Sequence, residues 1–270
     1  MTKFYFVLLF SLAVFQSLFG QQNATIDSLR LVSDNLTLQV RDSVLHHLLN
    51  KNIFTDEVDA WMHRVLYRMH LSNGQSDSAL MHALKAYEID IKRNDKAAQA
   101  ADISNILAYY LETDQPKRAL KFTKTLENLI PFVEDSYKKF AYLQNIAAIY
   151  QQTGEIETAL YYYLQAEEVA TQNDMPNYLG WMYHNMAALH MNNIKDTTVG
   201  RALYEKAINI AYTTNDDVLA IYGYIGMAMC NNRPQDSLPS AIVWLLKAEA
   251  IATQLEMPRL QAEIEEILAN

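Results

Sequence analysis

The chain has 270 residues, half of them hydrophobic, with seven glycines, six prolines and one cysteine. So few turn formers suit an all-helical array better than a sheet-rich fold, and a single cysteine cannot staple its own chain. A formal net charge of −9 without a basic stripe argues against a nucleic-acid phosphate backbone as a partner.

Residues 1–20, MTKFYFVLLFSLAVFQSLFG, carry one Lys and then an almost wholly apolar run. The run is shorter than the roughly 20 residues that span a bilayer as a helix, and Gln21, Gln22 and Asn23 follow at once. This pattern predicts a secretory signal, cleaved after Gly20, and an exported protein of the periplasm or another extracytoplasmic compartment. Leu18 at the −3 position is bulky, so the alternative is an uncleaved anchor, the one way in which the sequence touches a membrane. No cysteine near the junction suggests lipidation. Residues 21–56 show apolar positions at helical spacing and are expected to form an amino-terminal helical cap. His46 and His47 project about 100° apart on a helix and have no third ligand near them in sequence, which disfavours a metal.

Residues 57–256 are periodic. The clearest stretch is 141–170, AYLQNIAAIYQQTGEIETALYYYLQAEEVA, where two helical stripes are separated by Gly154, a residue suited to a left-handed helix stop. The first small residue of the second helix recurs as Ala79, Ala119, Ala159, Gly200 and Ala241, at separations of 40, 40, 41 and 41. Seven residues on stand Ala86, Leu126, Ala166, Ala207 and Ala248, and after four more Asp90, Ile130, Ala170, Ala211 and Ala252. Small side chains at these points let helix backbones approach closely. The pairs Asn94-Asp95, Glu134-Asp135, Asn173-Asp174 and Asn215-Asp216 offer amino-terminal caps for each next helix. Longer turns in repeats four and five leave the packing faces untouched. Residues 257–270 form an amphipathic helix, expected to solvate the end of the array or to begin a sixth repeat.

Asn145-Ile146-Ala147, Tyr150, Gly154, Ala159, Tyr163 and Ala166 resemble the signature of the tetratricopeptide repeat. Five such repeats imply an all-α, right-handed α-solenoid of helical hairpins, with helices longer than those of the usual 34-residue repeat. Similar long repeats occur in signalling scaffolds and in extracytoplasmic sensor regions of Gram-negative bacteria.

No catalytic constellation is present: the sequence has no HExxH, no phosphate-cradling glycine loop and no nucleophile elbow, so an enzyme is the least favoured class. No cofactor is expected. His63 and His70 lie on one face of a helix, but without a third ligand they are expected to pack, not to bind metal. Asn105, Asn145 and Asn185 stand 40 residues apart, each just before a packing residue, Ile106, Ile146 or Met186. The resemblance places them on a concave wall where a carboxamide could pair with both the C=O and the N–H of an extended peptide. Trp61, Arg64, Arg68, Gln144, Trp181, His184 and Tyr224 complete that candidate surface. The basic clamp of repeat domains that grip a terminal carboxylate is lacking, since the comparable positions are Ala101, Ser104, Gln144, His184 and Gly223. The expected function is a protein- or peptide-binding scaffold of the envelope. The alternative is the sensor part of a signalling or transcription-regulatory system.

Overall fold

The computed structural model describes residues 37–51, 54–230 and 238–269. Among the described residues there are twelve α-helices and no strand. The expected leader, the first part of the expected cap and most of the long turn of repeat five lie outside them. No helix among the described residues is long and apolar enough to cross a membrane.

The contacts divide the chain into two compact units, residues 1–133 and 134–270. The first contains α1 (Leu38–Lys51), α2 (Asp56–Ser72), α3 (Ser76–Lys92), α4 (Lys96–Glu112) and α5 (Pro116–Leu129). The second contains α6 (Ser136–Thr153), α7 (Ile156–Gln172), α8 (Pro176–Leu189), α9 (Thr197–Thr214), α10 (Asp217–Cys230), α11 (Leu238–Gln254) and α12 (Pro258–Ala269). Helices pair as the sequence repeat requires: α2 packs on α3, α4 on α5, α6 on α7, α8 on α9 and α10 on α11.

The turns repeat as regularly as the helices. Gly74, Asp114, Gly154 and Lys195, between the two helices of a repeat, all have positive φ, as do Asn94, Asp174, Asn215 and Glu256 between repeats. Gly154, with φ +87°, closes α6 in the left-handed conformation that the sequence suggested. In two of the Asn-Asp pairs the work is divided: the Asn turns left-handed to end one helix, and the Asp caps the next. Asp95 accepts from Ala98 N at 2.9 Å and Asp216 from Leu219 N at 2.9 Å. Asp135 likewise accepts from Lys138 N at 3.1 Å.

Asn173-Asp174 departs from that expectation. Asp174 takes the left-handed turn, Met175 occupies the cap position, and Pro176 opens α8, so no side chain caps that helix. Pro lacks an N–H and tolerates the first turn without a cap partner. Asn173 is used otherwise, its Nδ2 donating to Val169 O at 2.7 Å and its Oδ1 accepting from Ser136 Oγ at 2.7 Å. At the end of α5 the pattern also breaks: Ile130–Phe132 form a single 3-10 turn and Val133 is extended. The two units divide there.

Small residues hold the interior. Ala79, Ala119, Ala159, Ala166, Ala170, Ala207, Ala248 and Ala252 are fully buried. At Gly226 the approach is closer than any Cβ allows, because an added Cβ would lie 2.3 Å from the Tyr204 ring. Leu45 and Leu48 of α1 cover Val58, Trp61, Met62, Val65, Leu66 and Met69 of α2, so this helix shields the outer face of the first repeat. At the other end Leu260 and Ile264 of α12 are buried while its glutamates are exposed.

Gly226→Ala and Ala166→Leu are each expected to destabilise the chain by about 1 to 3 kcal/mol through overpacking. Exposed Glu157→Ala should shift stability by less than about 0.5 kcal/mol. Urea midpoints measure the difference, and equal midpoints for all three variants would contradict the close-packing account.

Candidate functional site

The three asparagines occupy equivalent places on α4, α6 and α8, each beside a buried residue: Ile106, Ile146 and Met186. Asn105 and Asn145 are half-buried and Asn185 is exposed. The backbone carbonyl of Asn105 accepts from Tyr67 Oη at 2.9 Å, which pins α4 to α2.

In the first unit, two of the three residues expected on the binding surface besides Asn105 serve the interior. Trp61 is only 7% exposed and belongs to the core under α1. Arg64 reaches Asp102 through Nε at 2.6 Å and also contacts Asp90, whose other oxygen is held by Arg93. Both carboxylates are fully buried. Burial pushes the Asp102 carboxyl up to about 6, while the Arg64 guanidinium pulls it the other way. Arg64 therefore neutralises buried charge between α2, α3 and α4. Arg68 alone of the three is exposed.

In the second unit two groups of aromatic contacts join successive first helices of the repeats. Tyr137 and Phe140 of α6 contact Tyr178 of α8, with centroids 4.8 and 5.8 Å apart. Trp181 and His184 of α8 both lie 5.8 Å from Tyr222 of α10. Trp181 Nε1 donates to Asp216 Oδ2 at 2.9 Å, so the residue that caps α10 also orients the indole. Tyr137 and Tyr178 remain about half exposed, at 50% and 42%. Tyr224, in contrast, is 3% exposed, stacks on Trp244 and bonds to Tyr212, and so packs α10 against α11 and α9.

Gln144 and His184 share one feature. They stand at the same repeat position, and Gln144 Nε2 and His184 Nδ1 are buried atoms without a hydrogen-bond partner. Burial lowers the His184 pKa, which keeps the ring neutral. A buried polar group left unpaired costs on the order of 1 to 3 kcal/mol, so these two atoms at one register are candidates for a partner outside the chain.

A second constellation escaped the sequence reading. His46 of α1, His70 of α2 and His82 of α3 each offer a ring nitrogen, and these nitrogens lie within 4.8 Å of one another. His63 joins them through its Nδ1, 2.8 Å from His82 Nδ1. The sequence distances of 24 and 12 hide this grouping, and the missing third ligand for His63 and His70 stands on the opposite helix of the same hairpin. The clue available was that His82 follows Ala79 by three residues and therefore shares its inward face.

No protein-family model matches the sequence, and no curated protein matches it. Solved structures do resemble the fold. BtubC from P. vanneervenii is 16% identical with a TM-score of 0.68, over 87% of this chain and 94% of that one. The apo form of RapI is 12% identical with a TM-score of 0.74, over 97% of this chain and 78% of that one. A signal transduction ATPase with numerous domains and a tetratricopeptide repeat sensor, from Pyrococcus horikoshii, is 15% identical with a TM-score of 0.68. That match covers 91% of this chain and 37% of the ATPase. The fold is thus an all-α helical-repeat solenoid of tetratricopeptide-like hairpins.

Arg64→Ala should cost about 3 to 5 kcal/mol, because it strips buried Asp90 and Asp102 of a shared partner. Arg68→Ala, on an exposed residue, should stay within about 0.5 kcal/mol of the parent. Chemical denaturation of both variants is the check, and a mild Arg64 effect would mean that the carboxylates take up protons or water without cost.

Proposed function

We propose that the chain is a non-enzymatic scaffold that binds an extended protein or peptide segment, exported to the envelope by residues 1–20. The observation that carries this reading is the pair of unpartnered buried nitrogens at equivalent positions, Gln144 Nε2 and His184 Nδ1. Gln144 donates to a peptide carbonyl, and neutral His184 donates or accepts at Nδ1 according to its tautomer. Asn145 and Asn185, one residue further along the same helices, supply carboxamides for the adjacent main-chain groups. The aromatic surface of Tyr137, Tyr178, Trp181 and Tyr222 offers apolar contact to side chains, the residue types in which interfaces concentrate their energy. Asn105 holds the equivalent repeat position on α4 of the first unit. Another Rap protein with this fold was solved in complex with competence and sporulation factor, at 14% identity and a TM-score of 0.58. That resemblance supports recognition of another molecule by such a fold.

A sensor role is the second reading, favoured by the repeat sensor of the Pyrococcus horikoshii ATPase, which has this fold. On that reading the same surface receives the signal, and an output component lies elsewhere.

The test uses an immobilised library of random unstructured peptides, from which the parent chain selects ligands for titration calorimetry. Gln144→Ala and His184→Ala should each weaken binding by about 1 kcal/mol or somewhat more, since each removes a main-chain hydrogen bond. Asn145→Ala and Asn185→Ala should weaken it similarly. Circular dichroism should show all four variants folded. Unchanged affinity in folded Gln144 and His184 variants would remove the main support for this surface.

A further inference from the structure

The histidines of the first unit are arranged as ligands, and their hydrogen bonds fix which nitrogen of each faces inward. His46 Nδ1 lies 3.0 Å from the Asp42 backbone carbonyl, and a carbonyl can only accept, so Nδ1 carries the proton. His70 Nδ1 lies 2.5 Å from Gln75 Oε1, with the same consequence. His82 Nδ1 shares one proton with His63 Nδ1 across 2.8 Å. When His82 is the donor, all three rings hold their protons at Nδ1 and present bare Nε2 lone pairs.

Two of those lone pairs are buried and unmet. His70 Nε2 and His82 Nε2 are buried without a hydrogen-bond partner, and so is Asp42 Oδ1. His82 is 1% exposed and His70 is 9% exposed, so water does not readily complete them. Asp42 Oδ1 lies 3.2 Å from His70 Nε2, close enough for an ion pair but outside hydrogen-bond alignment. Two buried, unpartnered nitrogens with a carboxylate oxygen beside one of them form a donor set that a cation would satisfy.

We propose that His46, His70 and His82 bind a zinc-type divalent cation through Nε2, with Asp42 as the fourth ligand and His63 orienting His82 from behind. Three imidazoles and one carboxylate suit zinc in donor type and in number. In a tetrahedral site with bonds near 2.0 to 2.1 Å the ligand nitrogens stand roughly 3.3 Å apart, closer than the limit of 4.8 Å within which one ring nitrogen from each histidine now lies. The Nδ1 partners, a backbone carbonyl, a side-chain amide and a second imidazole, act as the outer shell that metal-binding histidines require.

All four coordination positions come from the protein, which makes the site structural and leaves none for substrate. The ion ties the helix that shields the first repeat to both helices of that repeat, α1 to α2 and α3. In a chain whose only cysteine, Cys230, lies in the other unit, this cross-link does what a disulfide does elsewhere.

The experiment uses the full chain without its leader and without a polyhistidine tag, stripped with a chelator and titrated with Zn2+ against a chromogenic competitor. One equivalent should bind at micromolar affinity or tighter, and Co2+ should give the visible absorption of a tetrahedral site. His46→Gln and His70→Gln should each weaken binding by at least about tenfold. His63→Gln should weaken it by about 10- to 100-fold through misorientation of His82. His47→Gln, adjacent to the site on α1, should leave binding unchanged. His46 is only half-buried, so its variant keeps the test open should the His82→Gln chain fail to fold. Less than one equivalent bound, or parent affinity in folded His46 and His70 variants, would overturn the proposal.

Discussion

Close approach of helix backbones is the constraint on which the structure depends. Each repeat places a small residue where its two helices meet, and Ala79, Ala119, Ala159, Ala207 and Ala248 are fully buried as a result. Where even a methyl is too large, as between Gly226 and Tyr204 or Gly223 and Ile208, glycine takes the position. Such contact leaves little freedom in how neighbouring helices align. Side chains at equivalent repeat positions therefore stay in register, which allows the aromatic surface and its polar neighbours to form along α6, α8 and α10. The close packing and the aromatic contacts have one origin here.

The array spends its charge inside the first unit and its aromatics on the second. Asp90 and Asp102 are buried and need Arg64 and Arg93, an arrangement with more consequence for specifying how α2, α3 and α4 meet than for net stability. In the second unit the ring contacts from Tyr137 to Tyr222 leave edges exposed, and Asp216 joins backbone and surface by capping α10 and holding Trp181. Few residues are confined to one task.

The sequence made the helical hairpins legible because spacing alone determines which residues face inward. Ala159, Ala166 and Gly154 behave as their positions imply, and so do the caps at Asp95 and Asp216. Periodicity within one helix does not say what covers it. Trp61 looked available until α1 was seen to lie over it, and Arg64 looked like a ligand contact until two buried aspartates from α3 and α4 met it. The histidines were missed for the same reason: His46, His70 and His82 converge from three helices, and no spacing within one helix reveals that. Pro176 shows a local limit, since it shifts the cap position one residue past the Asn-Asp pair that elsewhere performs the task. Trp181 and His184, expected on the surface, do stand together with Tyr222, whereas Tyr224 turned inward onto Trp244.

The most direct measurement is a crystal structure of the chain with a selected peptide bound. An extended main chain should lie along the first helices of the second unit. A peptide carbonyl should lie within hydrogen-bond distance of Gln144 Nε2, with a second main-chain group at His184 Nδ1 and side chains resting on Tyr178 and Trp181. A peptide seated on the second helices of the repeats, with Gln144 and His184 untouched, would contradict it.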